Sequence, residues 1–374
     1  MNKRNPFVTS GYVSPEYFCD REKETTQILN AVKNQRNLTM FSFRRMGKTG
    51  LIHHVFQKLS VKKDYSVFYL DIQDTSDIAE FTKEFAKSVL GKFDTIPSKI
   101  IQNIGKVFAN LRPSISYDSF TGEPKINLEI NTESDAVNSL PQIFNYLQEQ
   151  KSKVVVAIDE FQQILNYPEK NVESLLRKQI QNVKNVNFIF AGSQKHMLIS
   201  MFKDHNRPFY QSTEMLHLNH IEKEVYKKFI VKKFADSQKI ISELEVDYIL
   251  NWAKQHTYYV QFICNRLYSL DQKTITLEII KNSINDILNE NRTVFHNYQN
   301  LLTSNQWNLL KAIAKEDTVK QITSSYFINK YKLGSASSTA SALKRLVENE
   351  MVFQIDEQNY CVSDLFLSRW LSRI

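Results

Sequence analysis

The sequence has few cysteines, no long apolar run and no apolar stretch behind its first basic residues. The three cysteines, Cys19, Cys264 and Cys361, lie far apart without metal-binding spacing and cannot all pair, which favours a reducing cytoplasm. The longest aliphatic run is Val154–Ile158, far short of the ~20 apolar residues that a membrane span needs. The start MNKRNPFVTSGY lacks the apolar segment of a secretory signal. We therefore expect a cytoplasmic protein without a membrane segment.

Composition and charge describe a globular chain with a basic surplus. Hydrophobic residues make up 42% of the 374 positions and charged residues 24%, values typical of folded proteins. A chain of this length accommodates two or three domains of roughly 100–200 residues each. The formal net charge of +8 and the pI near 9.1 are compatible with a polyanionic partner such as nucleic acid, and also with a basic protein that binds none.

Strands alternate with helices in the first half of the chain, which predicts an α/β fold with a three-layer parallel sheet. Continuous apolar runs such as KVVVAIDE are typical of buried parallel strands. The predicted strands are 37–43, 65–72, 153–160 and 186–193, and the predicted helices around them are 22–36, 50–59, 78–90, 134–150 and about 171–182. Alternation around the turn FTGEP predicts a hairpin insertion at about 112–131.

The pattern changes twice after residue 215. Residues 221–290 predict helices only, and the following residues predict three helices and then two short strands around the turn Asp356–Asn359. Three helices followed by a β-wing is the winged-helix plan. We therefore expect a P-loop α/β domain over 1–215, an all-α helical lid over 216–290 and a C-terminal winged-helix domain over 291–374.

The segment FSFRRMGKTGL, residues 41–51, stands between a predicted strand and a predicted helix. The phosphate-binding P-loop has a glycine, four variable residues and then Gly-Lys-Ser/Thr. Gly47, Lys48 and Thr49 match its end, and Ser42 occupies the place of its first glycine. The Lys48 ammonium would lie between the β- and γ-phosphates of a nucleotide, and the Thr49 hydroxyl would bind Mg²⁺. Taken alone, the segment is also compatible with an ordinary strand–turn–helix.

Polar groups follow two further predicted strands. Asp159 and Glu160 end the run VVVAIDE, at the strand edge where open α/β sheets bind ligands. Asp159 would hold Mg²⁺ through water, and Glu160 would align the water that attacks the γ-phosphate. Ser193 and Gln194 end the neighbouring strand, where either would hydrogen-bond the γ-phosphate or cap the strand. Each feature alone is compatible with a polar turn, but together with the P-loop they predict an ATP site.

Several motifs in order resemble the prokaryotic family called archaeal-type ATPases, in the STAND branch near the AAA+ ATPases. They are RRMGKTGL, VVVAIDEFQ, FIFAGSQ, RPFYQSTEMLHLNHI and the winged-helix tail, and YFCDREKE resembles the family's N-terminal box. The resemblance implies Asp159 and Glu160 as the Walker B pair, Ser193 as sensor, and Glu160 with Lys48 as catalytic groups. Thr49 and Asp159 are the expected Mg²⁺ residues. The expected ATP-binding residues are Arg21, Glu22, Arg44, Arg45, Met46, Gly47, Lys48, Thr49 and Gly50.

The sequence departs from the family pattern in four places. Ser42 replaces the usual first glycine, and Gly50 stands where a serine is common. The usual Tyr-Gly-Arg reads Tyr210-Gln211-Ser212, and the usual Gly-x-Pro reads His256-Thr257-Tyr258. We expect nucleotide binding to survive the change at 42, because the ammonium, hydroxyl and amide donors remain.

The missing arginine bears on hydrolysis rather than on binding. Such a charge is worth about 10³–10⁵ in rate in related enzymes. Arg44, Arg45 and Arg207 are candidates to replace it, and each is also compatible with a surface charge. The sequence shows no guanine-reading Asn-Lys-x-Asp signature, which favours adenine by default.

The charges of the winged-helix tail are only weak evidence that it binds DNA. In its recognition helix, Lys344 and Arg345 are balanced by Glu348 and Glu350, and residues 291–374 hold ten basic and seven acidic side chains. Docking of a protein or covering of the nucleotide domain are the alternatives, and the lysine-rich segment 223–239 is a second anion-facing candidate. The pairs His53–His54 and His217/His220 lack the partners of a metal site, so we expect them in the core or on the surface.

The sequence thus predicts an ATP-binding P-loop protein, specifically a Mg²⁺-dependent ATPase that couples its ATP state to winged-helix interactions. The expected ligands are ATP or ADP, with DNA or a protein bound through the winged helix, and an oligomer is compatible with the sequence. Two alternatives stay open. One is a DNA-binding regulator in which ATP is only a conformational ligand, and the other is a nucleotide-binding scaffold without turnover.

Overall fold

A computed structural model of the chain describes residues 4–93, 112–117, 124–130, 132–355 and 358–374. These residues fall into two compact units. The α/β unit comprises Val8–Tyr226 together with the short segment His256–Tyr258. The helical unit comprises Lys227–Gln255, Tyr259–Ile374 and the N-terminal residues up to Phe7.

A five-stranded parallel sheet forms the centre of the α/β unit, in the order β2–β5–β6–β1–β7. Numbered in chain order, the strands of this unit are β1 (Leu38–Phe41), β2 (Tyr65–Asp71), β3 (Arg112–Tyr117), β4 (Pro124–Glu129), β5 (Lys153–Asp159), β6 (Val186–Gly192) and β7 (Glu214–His217). Its helices are α1 (Glu22–Lys33), α2 (Lys48–Ser60), α3 (Ile78–Phe93), α4 (Glu133–Gln148), α5 (Val172–Asn182) and α6 (Lys195–Lys203).

The apolar run of β5 is continuous because both faces of the sheet are covered. Val154, Val156 and Ile158 pack into a core with residues of α3, α4 and α5, whereas Val155 and Ala157 pack into a second core with α1 and α2. Side chains alternate between the two faces of a strand, so a strand between two helical layers needs apolar residues at every position. The predicted three-layer α/β fold is confirmed.

Two features of this unit differ from or extend the sequence prediction. The edge strand β7 was not expected, because only Leu216 of its four residues is buried and the strand lacks a continuous apolar run. The hairpin strands β3 and β4 pair antiparallel as predicted, from Arg112↔Glu129 to Tyr117↔Pro124. Residues 120–123 of the predicted turn FTGEP lie outside the described residues.

The first part of the helical unit is not purely helical, so the prediction of helices only over 221–290 is wrong in one respect. Two short strands, β8 (Ile240–Ile241) and β9 (Thr274–Ile275), pair in parallel. Each directly precedes a capped helix, and sequence patterns do not register so short a strand. The helices of this stretch are α7 (Lys223–Ala235), α8 (Glu243–Trp252), α9 (Thr257–Tyr268), α10 (Leu277–Glu290) and α11 (Arg292–Leu301).

The C-terminal residues form a winged helix, as predicted. Antiparallel pairing joins β11 to β12 and β12 to β10, making a three-stranded wing. The elements are α12 (Ser304–Glu316), β10 (Val319–Lys320), α13 (Ser325–Tyr331), α14 (Ala336–Glu348), β11 (Val352–Gln354), β12 (Asn359–Val362) and α15 (Leu365–Leu371). Asp356 and Glu357, in the predicted wing turn, lie outside the described residues.

Two further expectations concern membranes and thiols. No helix in the described part of the chain has both the length and the apolar character to cross a bilayer. Cys19, Cys264 and Cys361 form no disulfide in the described residues.

Candidate functional site

The P-loop connects β1 to α2 and takes its shape from two residues in the left-handed region. These are Arg45, with φ 59°, and Gly47, with φ 95°. Ser42 lies outside that region and is almost completely buried, with its Oγ donating to the Phe43 carbonyl at 2.9 Å. The backbone therefore imposes no requirement for glycine at 42, and the serine is accommodated without strain.

Lys48 is the first residue of α2 and points into the molecule. Its side chain is 6% exposed. Burial lowers the pKa of the ammonium, the nearby carboxylates of Glu160 and Asp159 oppose this, and Arg44 adds to the lowering. The cation thus lies within electrostatic reach of both acids, although 111 and 112 residues separate them in sequence.

The loop and β5 meet directly at Asp159. The Thr49 hydroxyl donates to Asp159 Oδ2 at 2.7 Å, and the Tyr69 hydroxyl donates to the same oxygen at 2.9 Å. The other oxygen, Oδ1, accepts from the Glu160 amide at 3.0 Å. Burial, then the charge of Asp159, raises the pKa of Tyr69 strongly, so this hydroxyl is fixed as a donor. Three donors therefore hold a nearly buried carboxylate in one orientation.

Glu160 is a single left-handed residue, with φ 53° and ψ 39°, between the end of β5 and the 3₁₀ turn Phe161–Asn166. Its Oε2 accepts from Ser193 Oγ at 2.9 Å, from the Ser193 amide at 3.2 Å and from Gln162 Nε2 at 2.6 Å. Left-handed non-glycine residues cost free energy and cluster at functional sites. The turn directs Glu160 towards the end of β6, the strand between β5 and β1.

The N-terminal box contributes Arg21 to the back of the loop. Arg21 is buried, and its guanidinium donates to Glu24 at 3.0 Å and to the Met46 carbonyl at 3.5 Å. Glu22 is exposed in the first turn of α1, and within the described residues it makes no hydrogen bond to the loop. The structure therefore brings Arg21 to the P-loop backbone, whereas Glu22 stays on the surface.

A second segment, His256–Tyr258, contacts three consecutive loop residues, and we call it the loop clasp. His256 Nε2 donates to the Arg44 carbonyl at 3.0 Å, and Thr257 Oγ1 donates to the Met46 carbonyl at 3.2 Å. The Arg45 guanidinium lies 4.4 Å from the centre of the Tyr258 ring, a cation–π distance. Burial, then the neighbouring His220, lowers the pKa of His256 to about 4.

Comparison with known proteins decides the family. A model of the ATPase domain predominantly from Archaea matches residues 18–263, more than half of the chain. The chain belongs to this archaeal-type ATPase family. A model of a probable winged helix domain matches residues 293–373. Both the resemblance proposed from the motifs and the predicted fold class are confirmed.

Three proteins that are similar to this chain share little sequence identity with it. The chain is 26% identical over 161 residues to an uncharacterized ATP-binding protein of Methanocaldococcus jannaschii, a match over 39% of this chain and 43% of that protein, so it spans less than half of the relative. A Walker-type ATPase of Pyrococcus abyssi has the same fold, with TM-score 0.66, 15% identity and coverage of 99% and 100% of the two chains. The Aeropyrum pernix ORC2 protein follows with TM-score 0.61 and 13% identity, over 100% and 96%.

The chain retains the turn at Tyr210–Ser212 but lacks the arginine that the family has there. Gln211 has φ 49°, so it keeps the left-handed conformation where the family has glycine. Ser212, at the family's arginine position, donates to the Phe209 carbonyl at 2.7 Å. Of the candidate replacements, Arg207 is ion-paired with Glu173 at 2.6 Å and Arg45 is stacked on Tyr258. Arg44 is exposed and close enough to Lys48 to influence its pKa.

Gly50 and the histidine pairs were also singled out by sequence. A Cβ at Gly50 would lie 3.6 Å from Phe18, an ordinary contact, so the family's serine would fit there. His54 stacks on Phe18 at 4.3 Å and His217 on Phe41 at 4.9 Å. In the described ranges no group of three or more His, Cys, Asp or Glu could hold a metal ion. His54 and His217 therefore each have an aromatic packing partner, and His217 and His220 are exposed.

Sequence reasoning missed Tyr69, Gln162 and the clasp contacts. Gln162 has a faint signal, since it is a polar residue two positions after the acidic pair in DEFQ. Tyr69 has none, because its role depends on β2 lying beside β5, where Asp71 pairs with Asp159. The clasp was noticed only as a departure from a family motif, and its contacts depend on a chain reversal that no local pattern predicts.

Proposed function

We propose that this chain is a Mg²⁺-dependent ATPase that acts as a nucleotide-controlled switch for its winged helix. The observation that carries the proposal is the 2.7 Å hydrogen bond between Thr49 and Asp159. It joins the end of the P-loop to the acidic pair, and Lys48 faces the same carboxylates. The shared fold with a Walker-type ATPase supports this assignment.

The residues present fit a magnesium ion. Mg²⁺ prefers oxygen ligands, and the Thr49 hydroxyl and the Asp159 carboxylate would hold it, with Tyr69 fixing the carboxylate. When bound, Mg²⁺ would neutralise charge on the β- and γ-phosphates. Lys48 would stabilise the same phosphates, and Glu160 would accept a hydrogen bond from the attacking water. Arg44 is our candidate for the missing family arginine.

Phosphate release and ATP binding by the Glu160→Gln variant test the proposal. We expect the variant to bind Mg-ATP like the wild type. Its rate of phosphate release should fall by at least about 100-fold, because the substitution removes the general base. Glu149→Gln, at an exposed helix end, is the matched control and should behave as wild type. Absence of phosphate release from the wild type, with ATP still bound, would instead identify a scaffold.

A DNA-binding regulator is the second candidate function. The net charge of +8, the matched winged helix and a fold shared at TM-score 0.55 and 11% identity with the Aeropyrum pernix ORC1 protein in complex with DNA favour it. Against it, Lys344 and Arg345 of α14 both contact Glu348, at 3.9 and 3.1 Å. In the lysine-rich segment, Lys227 is buried and ion-paired with Asp247 at 3.0 Å.

Salt dependence of DNA affinity separates the two candidates. A regulator that neutralises several phosphates should lose affinity steeply with salt, whereas no binding at low salt would remove this candidate. We also retain as proposals the division into a nucleotide domain to residue 215, a lid to 290 and a winged helix, together with a cytoplasmic location, which the free cysteines support.

A further inference from the structure

The carboxylate of Glu160 is held at one oxygen only. Its Oε2 accepts three hydrogen bonds, two from Ser193 and one from Gln162, between 2.6 and 3.2 Å. Its Oε1 accepts none from the described residues, and the side chain is partly exposed. A carboxylate fixed in this way presents its second oxygen in a defined direction.

The shortest of these bonds comes from a buried amide whose orientation is dictated by charge. Gln162 is 3% exposed, and its Nε2 lies 2.6 Å from Glu160 Oε2. A flipped amide would oppose its carbonyl oxygen to the carboxylate, which repels, so the nitrogen must face Glu160. The amide oxygen Oε1 is then buried without a hydrogen-bond partner in the described part of the chain. Buried polar atoms are normally paired, so leaving this oxygen unpaired costs folding free energy. A contribution to the stability of the fold therefore does not explain why Gln162 is placed here.

Room for the amide is provided by a glycine at the end of β6. A Cβ at Gly192 would lie 2.0 Å from Gln162 Oε1, 3.0 Å from its Cδ and 2.9 Å from Leu198 Cδ1. Gly192 is therefore required by space and not by its backbone angles. Two successive residues thus help to hold the Glu160 carboxylate. Gly192 leaves space for the Gln162 amide, and Ser193 donates two hydrogen bonds to the carboxylate.

We propose that Gln162 is a positioning residue for ATP hydrolysis, which with Ser193 holds Glu160 Oε2 so that Oε1 alone faces the attacking water. This inference rests on the proposed ATPase function. In the step it serves, the water oxygen bonds to the γ-phosphorus as the bond to the ADP oxygen breaks. The water proton passes to Glu160 Oε1 and then to the released phosphate.

The test compares Gln162→Met with Gln163→Met in the full-length chain. Methionine keeps the length and packing of glutamine but has no donor. Gln163 is the matched control, because it lies in the same 3₁₀ turn but donates to the Thr75 carbonyl at 2.9 Å. We expect Gln162→Met to lower kcat about 100-fold, the effect of a misplaced catalytic group, with the Kd for Mg-ATP within about twofold of wild type. Gln163→Met should retain wild-type kcat.

A double-mutant cycle with Glu160→Gln excludes a merely structural role. If Gln162 acts through Glu160, Gln162→Met should lower single-turnover rates no further in the Glu160→Gln background. Equal losses in both backgrounds, or equal kcat for Gln162→Met and Gln163→Met, would overturn the inference and leave the ATPase proposal intact. A wild-type chain without turnover would overturn both. Gly192→Ala, which displaces the amide without altering it, should reproduce the kcat loss of Gln162→Met.

Discussion

Individual side chains at this site fix the orientation of two carboxylates, those of Asp159 and Glu160. Asp159 receives Thr49 and Tyr69 on one oxygen and a backbone amide on the other, while Glu160 is held by Gln162 and Ser193. Partners of this kind determine how well a group later binds metal or water, although they touch neither. Their effects should therefore appear in metal dependence and turnover before they appear in stability.

Tyr69→Phe should weaken the binding of Mg²⁺ at the ATP site. The change removes one of three donors to Asp159 without altering the ring, so the carboxylate keeps its place but gains freedom. Loss of such a partner typically costs about 10–100-fold in metal affinity. We expect the Mg²⁺ concentration at half-maximal ATP binding to rise about tenfold, as measured by titration calorimetry. Tyr65→Phe, at the other end of β2, is the control, and equal behaviour of the two variants would contradict the role of Tyr69.

The sequence could locate some of these residues and not others for a physical reason. Lys48 and Thr49 follow from the spacing of a loop, and Asp159 and Glu160 follow from the end of an apolar run. Tyr69 becomes relevant only because β2 is the neighbour of β5. Strand order is a long-range property, whereas periodicity and motif spacing are local.

Among the elements, the P-loop depends on the conformation of Gly47 and on its contacts with the clasp. Gly47 has φ 95°, a backbone conformation that residues with a side chain rarely adopt. A Cβ at this position would lie 4.0 Å from Thr257 Cγ2, so it would not clash. Any penalty for a side chain thus comes from the backbone. The strands β1, β5 and β6 were recognisable because almost every residue in them is buried, whereas β7 was missed because only one of its four residues is buried.

Gly47→Ala should lower the free energy of unfolding by about 1–2 kcal/mol and should also abolish ATP binding, because relief of the strain moves the amides that face the phosphates. Chemical denaturation and equilibrium ATP binding would measure the two effects. Gly11→Ala is the control, since Gly11 has φ 71° and open space around its Cα. It should lose similar stability but keep ATP binding. Normal ATP binding by the Gly47→Ala variant would show that the loop shape is not needed.

For the whole molecule, histidines with a lowered pKa make stability depend on pH. Burial lowers the pKa of His53, His54, His217, His220 and His256, in the last case from 6.5 to about 4. Between these values the unfolded chain binds protons that the folded chain does not. Protonation of the unfolded chain therefore does not lower the free energy of unfolding above pH 6.5, and lowers it progressively as the pH falls towards 4.

Unfolding by denaturant at pH 7.5 and pH 5.5 should reveal this loss. We expect a lower free energy of unfolding at pH 5.5, with His256→Gln reducing the difference by up to about 1.4 kcal/mol, the value of one pKa unit. His205→Gln, which replaces an exposed histidine, should leave the difference unchanged. A pH difference that is the same in wild type and His256→Gln would contradict the assignment of a low pKa to His256.

The most direct test of the whole account is equilibrium binding of Mg-ATP to the wild-type chain and to Lys48→Ala. In the proposed ATP site, the buried ammonium of Lys48 contacts the phosphates in front of Asp159 and Glu160. Lys58→Ala replaces an exposed lysine of the same helix and serves as the control. We predict that Lys48→Ala weakens Mg-ATP binding by at least about tenfold, the equivalent of 1.4 kcal/mol, whereas Lys58→Ala binds like the wild type. Equal affinity in all three proteins would contradict the central claim.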